Sequence, residues 1–367
     1  MCACERGWDP DIESQILQMS LREKVGQMFF IRPEALDRDI FYNSASELTS
    51  FQLQGVNERM KECARQYPMG GISLFAHNIK DPNQLAAFMA DLKALPSHPL
   101  ICIDEEGGRV ARLANNQAFH LPKFESATAL AASGRPGDVY EAAFNIGTYL
   151  HRYGFDIDFA PVADVNTNPR NVVIGSRAFS TDPEVAATMV RSYIKGLRKA
   201  GIVGCVKHFP GHGDTQTDSH FGYAMTRKTW AEIEDCEMLP FKAGIKAGVP
   251  IVMTSHVSLP NVTGSNIPTT LSPMMLQEKL RGELGFKGVI ISDAMEMGAI
   301  LRQYPVEDAC IMAIQAGVDV LLCVREYTKV YEAVLAAVRR GDISESRIDE
   351  SVRRILYLKK RIASGKV

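Results

Sequence analysis

Ile202-Val203-Gly204-Cys205-Val206-Lys207-His208-Phe209-Pro210-Gly211-His212-Gly213-Asp214 is an apolar run that opens into glycine-rich, ionisable sequence. Its first five residues lack polar alternation, as in a strand buried on both faces. The residues beyond continue to Asp218-Ser219-His220, so that three of the chain's eight histidines fall within 208–220. A buried strand ending in a loop of this composition is the arrangement of a parallel α/β scaffold, whose strand ends carry the chemistry.

Seven further runs have the same character. They are Val25–Ile31, Gly71–Phe75, Pro99–Ile103, Asp156–Ala160, Pro250–Thr254, Gly288–Ile291 and Val318–Val324, rich in Val, Ile, Leu and Phe. Amphipathic segments separate them. The clearest begins at Asp182-Pro183, a capping residue followed by proline at the first helical position. Val190, Tyr193, Ile194 and Leu197 then share one face, and Gly201 can close the helix. Asp81-Pro82, Thr229 and Ser344 are further helix starts. Eight strands alternating with helices predict an α/β fold, a single-domain (β/α)8 barrel of the TIM type over residues 1–367. An open doubly wound sheet is the alternative, but no GxGxxG turn opens its first helix. Between the first two strands, residues 33–66 form an expected insertion over the mouth of the barrel, with Glu47–Arg65 helical.

Bulk properties narrow the function. The 367 residues carry a formal charge of −2, without long runs of one sign, which argues against a nucleic-acid or polyanion partner. Cys102, Cys205 and Cys323 lie inside apolar runs, a usage that suits a reducing compartment and a cytoplasmic location. No apolar run reaches the roughly 18 residues needed to cross a membrane.

Ionisable residues follow five successive strands: Asp104-Glu105-Glu106 with Arg109, Asp164, Lys207-His208, Ser255-His256 and Ser292-Asp293. In a barrel they converge on one pocket at the C-terminal face. Asp293 reads either as a nucleophilic carboxylate or as the N-cap of a helix over Ala294–Ile300. Asp218 stands two residues before His220, so in a loop the carboxylate can fix the imidazole tautomer and the imidazole can exchange protons near neutral pH. A solvated loop pair is the plainer reading of the same residues. His208 and His212 have the spacing of some zinc sites, but Pro210-Gly211 between them excludes a regular helix, and a metal set with Asp214 and His220 is a rival reading.

With these residues assembled, the chain resembles the β-N-acetylhexosaminidases of glycoside hydrolase family 3, more narrowly the one-domain bacterial type that removes terminal GlcNAc from peptidoglycan fragments. The resemblance runs from about Leu21 to Ile362. It rests on Ile103–Leu113 (IDEEGGRVARL), Asp158–Asn166 (DFAPVADVN), Ile174–Phe179 (IGSRAF), the Lys207–His220 block and Ser292-Asp293, in that order. It implies Asp293 as the catalytic nucleophile, His220 as general acid/base and Asp218 as its partner. It further implies Asp104, Arg112, Arg177, Lys207 and His208 as residues that hold the terminal sugar. The expected chemistry is two-step hydrolysis with retention of the β configuration, without metal or organic cofactor, on a carbohydrate substrate.

Two departures from the family pattern stand out. Ala294 follows Asp293 where a second acid is common, and the 33–66 segment is unusually long, which leaves the aglycone preference open. A phosphorylase, a β-glucosidase, a metal-dependent barrel hydrolase and a sugar-binding protein without turnover are the alternatives that experiment has to separate.

Overall fold

The structure is a computed structural model, and it describes residues 9–37, 53–215 and 224–367. Eight strands are parallel throughout and close on themselves. They are β1 (Phe29–Ile31), β2 (Gly71–Leu74), β3 (Leu100–Ile103), β4 (Ile157–Asp158), β5 (Val203–Phe209), β6 (Ile251–Thr254), β7 (Val289–Ala294) and β8 (Val320–Leu322). Every one of the eight apolar runs contributes its strand. Short β4 is prolonged by an extended stretch that stays on β5: Ala160 O accepts from Cys205 N at 2.8 Å, and Ala163 N donates to Lys207 O at 2.6 Å.

A helix follows each strand: α1 (Glu58–Gln66), α2 (Pro82–Lys93), α3 (Pro136–Arg152), α4 (Pro183–Lys199), α5 (Met238–Lys246), α6 (Met274–Glu283), α7 (Val306–Ala316) and α8 (Tyr327–Arg340). A ninth, α9 (Glu345–Ala363), crosses back to the strands' N-terminal ends. Local chemistry sets the starts. The Asp182 carboxylate accepts from Glu184 N at 2.8 Å and Val185 N at 3.2 Å, which satisfies two amides that the first turn of α4 leaves open. Val190, Tyr193, Ile194 and Leu197 are buried as their spacing predicts. Burial of each large apolar side chain of this kind contributes roughly 1.5–3 kcal/mol. Helix α4 lies tight on α3 because Gly196 has no side chain; a Cβ there would sit 2.5 Å from Tyr140 O. Asp81, Thr229 and Ser344 also cap helices as expected.

The first strand needs correction. Val25, Gly26 and Gln27 belong to a helix, Leu21–Gln27, and β1 starts only at Phe29. The reason lies upstream: Ser20 and Glu23 form a capping box that nucleates the helix, and an apolar run by itself cannot separate a buried helix end from a strand. Of the 33–66 segment, Pro33–Leu36 makes a short 3-10 turn and Glu58–Gln66 is α1, while residues 38–52 lie outside the described residues. Among the described residues, no helix is long and apolar enough to cross a membrane.

Candidate active site

Strand β3 delivers Asp104 to the mouth, and the next residues fold into a hairpin, Glu105–Gly107 against Val110–Ala111. Glu105 anchors it from inside. Its carboxylate accepts from Arg112 N at 2.5 Å, Leu113 N at 2.9 Å, Ala114 N at 2.8 Å and the Tyr149 hydroxyl at 2.8 Å. Burial nevertheless pushes the Glu105 carboxyl up, and that of Asp158 beneath it well up. The hairpin returns Arg112 to face Asp104, with Arg112 Nη2 3.6 Å from Asp104 Oδ2.

Strand β5 delivers Lys207, of which 2 % of the side chain is exposed. Its ammonium lies 2.7 Å from Asp104 Oδ1 and 2.6 Å from Glu106 Oε1. Arg177 closes the other side: Nε donates to Glu106 Oε2 at 2.8 Å and Nη2 to Glu106 Oε1 at 2.7 Å. Burial would raise the Glu106 carboxyl, but the charges of Arg177 and Lys207 outweigh it and hold it well below the usual carboxylate range. The converse holds for Lys207: burial works against its charge, and Asp104 and Glu106 keep it above the usual lysine range. Arg177 is presented by a short turn, Gly175–Arg177, whose approach is fixed by Arg109 Nη2 donating to Val172 O at 3.0 Å and by Asn171 Oδ1 accepting from Val173 N and Ile174 N.

His208 follows Lys207 across a cis peptide bond, and its Nδ1 is 2.7 Å from Asp164 Oδ2. Asp164 Oδ1 accepts from His212 N at 2.6 Å. Burial raises the Asp164 carboxyl, yet the His208 charge and hydrogen bond more than offset it and leave it lowered. Burial also pushes the His212 imidazole down, against the opposing pull of Asp164 and Asp293. Gly213 is pressed onto the β4 exit so closely that a Cβ would lie 1.9 Å from Val165 O.

Asp293 lies within β7, not ahead of a helix. The next helical turn is Gly298–Leu301 with Met297 at its cap, so the N-cap reading of Asp293 does not hold. The carboxylate is partly exposed, and its Oδ1 accepts from Ala294 N at 2.7 Å. His256 at the β6 exit braces that strand end: its Nε2 is 3.0 Å from Ala294 O and its Nδ1 2.9 Å from Thr270 Oγ1.

The structure therefore joins Asp104, Arg112, Arg177, Lys207 and His208 in one network, with Asp293 on the same face of the barrel. Asp218 and His220 lie outside the described residues. Glu106 and Asp164, the hubs of the network, were visible in the sequence only as strand-end acids; nothing local marks them as partners of Arg177, Lys207 and His208. Donors on Lys207, Arg177 and Arg112 beside the Asp104 carboxylate form a surface suited to a polyhydroxylated ligand. Among the described residues, no group of three His, Cys, Asp or Glu side chains could hold a metal ion.

Residues 20–358 match the glycosyl hydrolase family 3 N-terminal domain. A β-hexosaminidase A of Pseudoalteromonas piscicida is 34% identical over 332 residues, covering 83% of this chain and 55% of that protein. A β-hexosaminidase of Stenotrophomonas maltophilia (strain R551-3) is 36% identical over 258 residues, covering 69% of this chain and 76% of that one. A solved family 3 β-N-acetylglucosaminidase from Paenibacillus sp. str. FPU-7 superposes with a TM-score of 0.85 at 35% identity, over 94% of this chain and 63% of that structure. The chain thus spans about half the length of the first of these relatives.

Proposed function

Since the chain belongs to the glycosyl hydrolase family 3 N-terminal domain family, we propose that it is a retaining β-N-acetylhexosaminidase that releases terminal, non-reducing β-linked GlcNAc. The observation that carries the proposal is the network at the mouth, Asp104–Lys207–Glu106–Arg177 and His208–Asp164, beside a carboxylate at the end of β7. Four of its members, Asp104, Lys207, Arg177 and His208, are residues that the family resemblance assigns to the sugar, and the fifth such residue, Arg112, faces Asp104. The relatives named for hexosaminidase activity support the same substrate class.

In the proposed reaction, Asp293 attacks the anomeric carbon as the C–O bond to the aglycone breaks. His220 gives its proton to the departing oxygen, and Asp218 stabilises the imidazolium before transfer. The product of this step is a glycosyl ester on Asp293. His220 then takes a proton from water, the hydroxyl oxygen bonds to the anomeric carbon, and the ester opens to return the Asp293 carboxylate and β-GlcNAc. Arg177 and Lys207 are held rigidly by Glu106, so their remaining N–H groups are aimed before substrate arrives, and hydrogen bonds that strengthen in the oxocarbenium-like transition state lower the barrier. The natural aglycone in this proposal is a peptidoglycan fragment. The place of action is the cytoplasm, in keeping with the free state of all six described cysteines.

The test is release of p-nitrophenol from its β-GlcNAc glycoside and from its β-glucoside, with chelator and without phosphate, by wild type, Asp293→Ala and His220→Ala. Turnover confined to the GlcNAc glycoside, insensitive to chelator and lowered about a thousandfold or more in both variants is the expected result. Dependence on phosphate, dependence on a metal, preference for glucoside or binding without turnover would each overturn it.

A further inference from the structure

Residues 216–223, which carry Asp218 and His220, are flanked by two stems that the structure ties together. On the near side, Asn171 Nδ2 donates to His212 O at 2.7 Å, and Asn168 Nδ2 donates to Asp214 O at 3.3 Å and Thr215 O at 3.2 Å. The far side is fixed to the β6 exit: Ser258 N donates to Ala224 O at 3.0 Å and Thr226 N to Ser258 O at 3.1 Å. Between the stems runs a polar stitch. Thr226 Oγ1 donates to Asp214 Oδ2 at 2.6 Å, and Lys228 Nζ stands 3.6 Å from Asp214 Oδ1. Lys228 also pairs with Glu237, which is 3 % exposed and packs under Gly211. Thr167 Oγ1 adds a contact to Asp214 Oδ1 at 3.3 Å from the β4 exit.

None of these side chains belongs to the sugar network. What the stitch fixes is where the chain leaves the β4–β5 side of the mouth and where it returns at β6. We infer that Asp214, Thr226 and Lys228 are positioning residues, which act on the reaction by fixing the two ends of the segment that carries the general acid/base. The inference rests on His220 having that role.

Leaving-group dependence separates such a role from a merely structural one. Departure of phenol needs a proton from the acid, whereas departure of dinitrophenol does not, and kcat/KM reports the step in which the aglycone leaves. Thr226→Val and Lys228→Met are expected to lower kcat/KM about tenfold on phenyl β-GlcNAc and less than about twofold on the dinitrophenyl glycoside. Thr226→Ser should restore the wild-type ratio. His220→Ala, measured alongside, should show the same pattern more strongly. Equal losses on both substrates in His220→Ala would remove the acid/base assignment and this inference with it. The expected pattern in His220→Ala, with equal losses or none in both stitch variants, would overturn the positioning role alone.

Discussion

The two ends of this barrel bury carboxylates among cations in opposite ways. At the floor, Asp319 precedes β8 and is wholly buried. Its Oδ2 accepts from Arg281 Nη2 at 2.6 Å and Ile290 N at 2.9 Å, and its Oδ1 from Arg354 Nη1 at 2.8 Å and Ser351 Oγ at 2.7 Å, with Arg347 3.6 Å away. The arginines use their other donors on backbone: Arg281 on Phe286 O and Gly288 O, Arg347 on Ile314 O and Val318 O. The Asp319 carboxylate is thereby saturated, each oxygen taking two donors, although Arg354 itself keeps 25% of its side chain exposed. At the mouth, Glu106 takes Lys207 and Arg177 just as tightly, but Asp104 and Arg112 keep 19% and 28% of their side chains exposed. A carboxylate saturated and wholly buried serves the fold, while one left partly exposed, as Asp104 is, has capacity to spare for the sugar of the proposed reaction.

The comparison breaks most sharply if Asp319 proves dispensable. Asp319→Ala leaves buried guanidinium groups without a counter-charge and should cost about 3–5 kcal/mol of stability. Activity per folded molecule should be unchanged, as read by urea denaturation beside initial rates. A stable Asp319→Ala, or a folded but inactive one, would erase the distinction between floor and mouth.

Arg177→Lys makes the complementary test at the mouth. Lysine keeps the charge but not the fork that holds Glu106 at two oxygens. It should lower kcat/KM on the GlcNAc glycoside about 10- to 100-fold, the equivalent of the ~1.5–3 kcal/mol of a hydrogen bond to a charged group. Melting should change little. A melting loss as large as that of Asp319→Ala would show that the mouth network is structural too.

Acid titration sharpens the comparison further. Charged neighbours depress both the Glu106 and Asp319 carboxyls against the opposing effect of burial. A carboxyl lowered on folding contributes stability that is full above its unfolded value of about 4 and is lost as pH falls toward the folded one. Glu106→Gln should therefore flatten the acid limb of the stability curve below pH about 4, by up to about 1.4 kcal/mol per pH unit. Its neutral-pH stability falls by less than that of Asp319→Ala. Parallel acid limbs for wild type and Glu106→Gln would contradict the charge balance described for the mouth.

Sequence made the mouth legible and left the floor dark, for a physical reason. The strands follow from unbroken apolar runs, and helix starts such as Asp182-Pro183 follow from capping chemistry that acts over three residues. At the mouth, chemistry-bearing residues cluster at strand ends, so Asp104, Lys207 and His208 could be picked out. Their pairing could not, since Lys207 and Asp104 are 103 residues apart and Arg177 and Glu106 are 71 apart. Asp319 sits inside the apolar stretch Gly317-Val318-Asp319-Val320, and the arginines that neutralise it come from α6 and α9. Only the closed barrel brings them together. Val25–Gln27 misled because a capped helix and a buried strand present the same apolar run.

The contribution of α9 to the floor has a consequence for biosynthesis. Asp319 leaves the ribosome 35 residues ahead of Arg354. At about 5–20 residues per second, this acid waits roughly 2–7 s for its last cation. Arg281, made before Asp319, can already meet its charge, but Oδ1 waits for Ser351 and Arg354, so the floor network is completed only after all eight strands have been made.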